Sequence, residues 1–140
     1  MAKRIKVEGV SMYPTLNPGD HMLFDRLAYR KSSPQKTDVV LVRHPIRRNL
    51  MMVKRIVGGP GTSIINHHGE FIVDGIPFSK AADIPIDKGT TTLRQEEYFV
   101  VGDYLHRSID DSRTLGAYSR VNIEAKAWLI YWPPSRWQLL

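Results

Sequence analysis

The chain has 140 residues, 42% of them hydrophobic, which suits one domain with a packed core and excludes a disordered tail. It has no cysteine, so disulfides, thiol nucleophiles and thiolate metal sites are excluded, and the redox compartment stays open. The formal charge of +6 admits nucleic acid, an anionic membrane or an acidic partner, but the cations cluster only at residues 2–6 and 43–48 and read as solvated faces.

Taken in order, charged and apolar residues alternate over 3–7, which predicts a short half-buried strand. Residues 7–20 then form a stiff loop around one hydroxyl, Ser11. Gly9 allows positive φ or a close backbone approach, Pro14 and Pro18 restrict the chain, and Asn17-Pro18-Gly19-Asp20 reads as a tight turn. Such a loop suits a nucleophile, whose oxygen must not wander, and equally an ordinary serine beside two turns. Residues 21–25 predict a strand, 26–36 a loop, and 38–43 a β-branched strand buried on both faces. After a basic turn at 45–49, residues 50–57 predict a strand broken by Gly58-Gly59-Pro60-Gly61.

Residues 63–66 and 70–73 read as a hairpin about His67-His68-Gly69, with a second turn at Asp74-Gly75. Residues 77–92 read as loop with room for one helical turn at Lys80-Ala81-Ala82. Residues 98–102 predict a strand, 105–116 a polar loop, and 125–132 a last strand stopped by Pro133-Pro134 before a tail at 133–140. Many short strands with few or no helices predict a single domain over 1–140: a mainly β, coiled antiparallel sheet or small barrel.

A serine nucleophile needs a base. None of His21, His44, His67, His68 and His106 stands in a tidy relation to an acid, and the His67-His68 pair lacks a nearby third metal ligand, so no metal or other cofactor is expected. Lys54 is out of place in the run 50–57. Apolar surroundings such as Met51, Met52, Val53 and Ile56 would disfavour its charged form and let it deprotonate Ser11. The other reading puts Lys54 and Arg55 on the solvent face of an edge strand.

Together the segments carry more. Gly9-Val10-Ser11-Met12-Tyr13-Pro14-Thr15-Leu16, then Val53-Lys54-Arg55-Ile56-Val57-Gly58-Gly59-Pro60-Gly61, then Val101-Gly102-Asp103 through Ser108-Ile109-Asp110-Asp111-Ser112-Arg113, resemble the type I signal peptidase family in content and order. The resemblance implies a serine endopeptidase with Ser11 as nucleophile and Lys54 as general base, and the Ser11 N–H helping to hold the oxyanion. It also implies that Ser108 orients the lysine amine and that an Asp111–Arg113 ion pair braces the site, with Arg55 nearby. Gly9 stands where some relatives carry a further hydroxyl.

The third block holds Tyr104 in place of an asparagine and one extra residue. Counting from Gly102 therefore selects Ser108 and Asp110, while counting from Arg113 selects Asp111 and Ser112. Thr62 stands where an acid is frequent.

Ten residues precede Ser11, and no window approaches the ~20 apolar residues of a spanning helix. In this the chain is similar to the anchorless, cytoplasmic proteases that mature nickel-type superoxide dismutase. That likeness implies a partner with an N-terminal leader, the nickel being bound by the substrate. A signal peptidase core acting at the membrane surface is the alternative; the basic N-terminus and Trp128, Trp132 and Trp137 would then supply a peripheral contact. Substrate would add as an extended strand, with Met12, Met51, Met52, Leu23 and Phe24 as candidates for shallow apolar pockets or for plain core. Nothing in the pattern suggests a nucleic-acid-reading element.

Overall fold

The computed structural model describes residues 2–67, 70–78, 89–105 and 107–140. Twelve strands form two antiparallel sheets among these residues. In the larger sheet, β1 (Ala2–Lys6) pairs with β2 (His21–Asp25), which pairs with the long β11 (Ile123–Trp132). Next come β3 (Val39–Arg43), β4 (Met51–Gly58), β9 (Glu97–Val101) and the short β10 (Tyr118–Ser119); β12 (Gln138–Leu139) returns to pair with β11. The smaller sheet is ordered β7 (Ile76–Phe78), β6 (Glu70–Val73), β5 (Ser63–His67), β8 (Gly89–Thr92). Register shifts in β11 against β2 and β3, and in β4 against β9, are the irregularities that let an antiparallel sheet bend and curl.

β3 shows why the sheet is stable. Its run of branched residues is buried on both faces, with Val39 and Leu41 in one apolar cluster and Val40 and Val42 in another. The first cluster also takes Met12 and Leu16 from the serine loop, against Met22, Phe24 and Ile130. A third cluster, including Val57, Ile64, Phe71 and Phe99, joins the two sheets.

Several elements depart from the sequence reading. Gly89–Thr92, expected as loop, pairs with β5, because three consecutive β-branched threonines favour extended backbone. Within the polar stretch 105–116, Ser112–Leu115 form a one-turn helix, α1. Asp111 caps it, its side chain accepting from the Arg113 N–H. Residues 133–140 return through a single 3₁₀ turn, Pro134–Arg136, to β12. Gly9 has no positive φ, and a Cβ there would meet open space, so neither conformational reason for a glycine applies. The hairpin pairing runs to His67 opposite Glu70. His68, Gly69 and the turn expected at Lys80-Ala81-Ala82 lie outside the described residues.

Candidate active site

The serine loop is pinched at its base, where the Val7 N–H donates to the Asp20 carbonyl (2.8 Å) and the Gly19 N–H to the Val7 carbonyl (2.7 Å). Buried Met12 and Leu16 anchor it from below. Two Arg–Asp pairs hold its flanks. Arg55 donates Nε and Nη2 to Asp103 at 2.7 and 2.8 Å, and the Thr15 hydroxyl donates to the same carboxylate at 2.6 Å. On the other side Arg136 donates to both oxygens of buried Asp20 (2.8 and 2.9 Å) and to the Thr15 carbonyl (3.2 Å). The Tyr104 N–H closes on the Ser11 carbonyl at 2.8 Å. Backbone and flanks are thus fixed. Among the described residues the Ser11 hydroxyl and N–H make no hydrogen bond, which leaves both available to a substrate.

Lys54 sits in β4 opposite Val40, buried to 2% exposure, so the solvent-face reading of this residue is wrong. Its Nζ donates to Ser108 Oγ (3.1 Å) and the Ile109 carbonyl (3.0 Å). A neutral amine has two N–H bonds and one lone pair. The two acceptors take both hydrogens and leave the lone pair for an incoming proton. Burial is the dominant cause that pushes the Lys54 amine below the usual 10.5. Asp111 and then Asp110 pull the other way without reversing it.

Ser108 Oγ is itself saturated. It donates to Asp111 Oδ2 (2.7 Å) and accepts from Lys54 and from the Gly102 N–H (2.9 Å). Gly102 has a steric reason to be glycine: a Cβ would stand 2.3 Å from Ser108 Oγ and 2.5 Å from the Ser11 carbonyl oxygen. Arg113 is buried behind this group, donating to Asp111 (Nη2 to Oδ2, 2.9 Å) and to the Leu105 and Ser108 carbonyls.

Ser11 and Lys54 open onto one cleft of about 440 Å³, with Gly9, Met12, Met51, Met52, Ile109 and Asp110 also on its walls. No hydrogen bond joins Ser11 to Lys54 here, although the sequence reading requires the pair to come within reach. Catalytic hydrogen bonds often tighten only once substrate is bound. Met12 is buried in the core as well as lining the cleft, while Met51 and Met52 are half-buried. Leu23 and Phe24 do not reach the cleft; Phe24 is core. Arg55, next to Lys54 in a strand, points the opposite way, and its carboxylate partner is Asp103 rather than Asp111.

The two register counts of the third block each select part of the assembly. Ser108 meets Lys54 and Asp111 meets Arg113. Asp110, between Ser108 and Asp111, has a φ of 55° in the left-handed region. Ser112 Oγ turns instead to the Val100 N–H.

The sequence reading missed Asp103 as the link between Thr15 and Arg55; the Gly102-Asp103 dipeptide at the head of the third block was the available signal. It weighed His44 only to set it aside with the other histidines. His44 is buried, and its Nε2 lies 3.6 Å from Asp110 Oδ2, so one histidine does stand beside an acid.

A family description, signal peptidase, peptidase S26, matches residues 1–132. The chain belongs to the peptidase S26 family. Among curated S26-like relatives, it is 33% identical over 126 residues to the mitochondrial ATP-independent inner membrane protease subunit 1b of Arabidopsis thaliana, which covers 89% of this chain and 67% of that protein. It is 32% identical over 135 residues to Signal peptidase I V of Bacillus subtilis, covering 84% and 79%. With Signal peptidase I of Leptolyngbya laminosa it shares 28% identity over 137 residues, covering 90% of this chain and 66% of that protein. About a third of the first and third relatives therefore lies outside the aligned region. Among the described residues, no helix of this S26 chain is long and apolar enough to cross a membrane.

Proposed function

We propose that this S26 protein is a serine endopeptidase that removes an N-terminal leader from a precursor protein with a Ser11–Lys54 dyad. The observation that carries this reading is the buried Lys54 amine. Ser108 and Ile109 engage its hydrogens, in the same cleft as a Ser11 whose hydroxyl and N–H are free. In the mechanism, Lys54 takes the Ser11 proton as Oγ attacks the scissile carbonyl, then gives it to the leaving amine. Water, deprotonated by the same amine, releases the acyl group. The Ser11 N–H donates to the oxyanion, and Gly9 contributes no side-chain donor.

Two precursors are proposed as substrates. The leader of nickel-type superoxide dismutase follows from the sequence resemblance, with action in the cytoplasm. A secretory signal peptide cut at the membrane surface fits the names of the relatives at least as well. Purified protein is incubated with each precursor, and the new N-termini are read by mass spectrometry. Ser11→Ala and Lys54→Met are each expected to lower kcat by ~10⁴ or more. Undiminished cleavage by either variant overturns the dyad. Cleavage of only one precursor, together with recovery of the protein in the soluble or membrane fraction, decides between the substrates.

A further inference from the structure

The turn between β3 and β4 carries a buried side chain that the proposed mechanism leaves unused. His44 is 4% exposed. Its Nδ1 accepts two backbone N–H groups of its own turn, from Ile46 at 3.1 Å and Arg47 at 2.9 Å. A ring nitrogen accepting two N–H bonds carries no proton, so in the neutral ring the hydrogen is on Nε2. Nε2 faces Asp110 Oδ2 at 3.6 Å, and Arg47 Nη2 reaches the same oxygen at 3.3 Å. Asp110 lies in a left-handed conformation, and the Tyr118 hydroxyl donates to its carbonyl. The residue immediately before it, Ile109, supplies one of the two acceptors that hold the Lys54 amine.

We propose that His44 and Asp110 form a positioning pair for the general base: the imidazole holds Asp110 in its left-handed turn, and that turn aims the Ile109 carbonyl at Lys54 Nζ. This rests on Lys54 being the base. Neither residue touches substrate in the role assigned. Loss of the pair lets the Ile109 carbonyl swing away and leaves the amine with Ser108 alone to orient it. Misplacement of a catalytic group by about 1 Å is enough to lower a rate by up to ~100-fold.

The side-chain chemistry of the turn provides a discriminating series. His44→Asn places an amide oxygen where Nδ1 sits, keeping the acceptor for the turn and losing the reach to Asp110. His44→Gln places an amide N–H near Nε2, keeping the reach and losing the turn acceptor. A positioning role predicts that His44→Asn lowers kcat by about tenfold with KM changed less than about twofold, and that His44→Gln recovers most of the loss. A purely structural role at the turn predicts the reverse order, which would overturn the proposal. Asp110→Asn is expected to lower kcat similarly, and the His44→Asn, Asp110→Asn double variant to be no worse than Asp110→Asn alone; additive losses also overturn it.

A second readout needs no cleavage: titration of the Lys54 side chain by NMR. The charged groups that face Lys54 are Asp111, Asp110 and Arg113, while His44 and Arg47 face Asp110. Loss of the Asp110 charge and of the Ile109 carbonyl both remove support for the ammonium. The Lys54 midpoint therefore moves down in His44→Asn as in Asp110→Asn. Asp110→Asn moves it through loss of charge alone, so His44→Asn is the deciding variant, and an unmoved midpoint there sinks the positioning pair. Failure of the dyad itself shows separately, as a Ser11→Ala variant that still cleaves.

Discussion

Lys54 and Arg113 are each 2% exposed and lie on the two sides of Ser108, yet the site treats them oppositely. Arg113 has a carboxylate in direct contact and two carbonyls besides, so its charge is matched where it sits. Lys54 touches only neutral acceptors. The nearest carboxylate chain runs through Ser108, whose hydroxyl proton is committed to Asp111. One buried basic side chain is thereby matched as a cation, and the other is left as the base that the proposed mechanism needs. The difference is one intervening hydroxyl: Asp111 reaches Arg113 itself and reaches Lys54 only through Ser108. Burial alone decides neither role. It lowers the lysine because no opposite charge touches it, and it strengthens the arginine pair because one does.

The contrast is sharpest under substitution. Arg113→Met leaves Asp111 buried without its counter-ion and is expected to cost about 3–5 kcal/mol of stability, read by urea denaturation. A loss under about 1 kcal/mol would mean the pair is no brace. Lys54→Met should act in the other direction. Cleavage is lost, but removing an amine whose charged form is poorly matched stabilises the fold by about 1 kcal/mol at pH values below its folded midpoint.

The pH dependence of that gain follows from linkage. Lys54 titrates lower in the folded than in the unfolded chain, so between the two values the unfolded chain holds one more proton and wild-type stability rises with pH. The burial cost is full below the folded value. The advantage of Lys54→Met over wild type should therefore shrink as pH climbs toward 10.5, and a constant gap would contradict the depressed lysine. The rising limb of kcat/KM against pH should likewise have its midpoint below 10.5. The smallest effect is expected at Arg43→Ala. Its pair with Glu124 is 40% and 36% exposed, and surface pairs of this kind contribute about 0–1 kcal/mol. An equilibrium loss as large as that of Arg113→Met would show that burial is not what separates the two arginines.

Much of this was legible in the chain itself. The proline and glycine punctuation of residues 7–20 marks the serine loop, and a lysine inside an apolar β-branched run marks Lys54, because both signals are local in sequence. β3 announces itself by composition. The features that escaped depend on contacts between distant segments. β12 has two residues and exists only because β11 offers it an edge. His44 looks like any turn histidine until the fold brings Asp110 beside it. In the third block, each count along the chain finds only one of Ser108 and Asp111, and Asp110 between them leaves the ordinary backbone regions for the left-handed one.

The clasp of Arg136 on Asp20 bears on how the protein can be trimmed or tagged. Pro133-Pro134 invites a cut, since the long strand β11 ends just before it. Shortening the chain at that point would strand a carboxylate with 1% exposure and free the Thr15 carbonyl, four residues from Ser11. Expression formats that shave the last eight positions would thus loosen the loop that carries Ser11 from a distance.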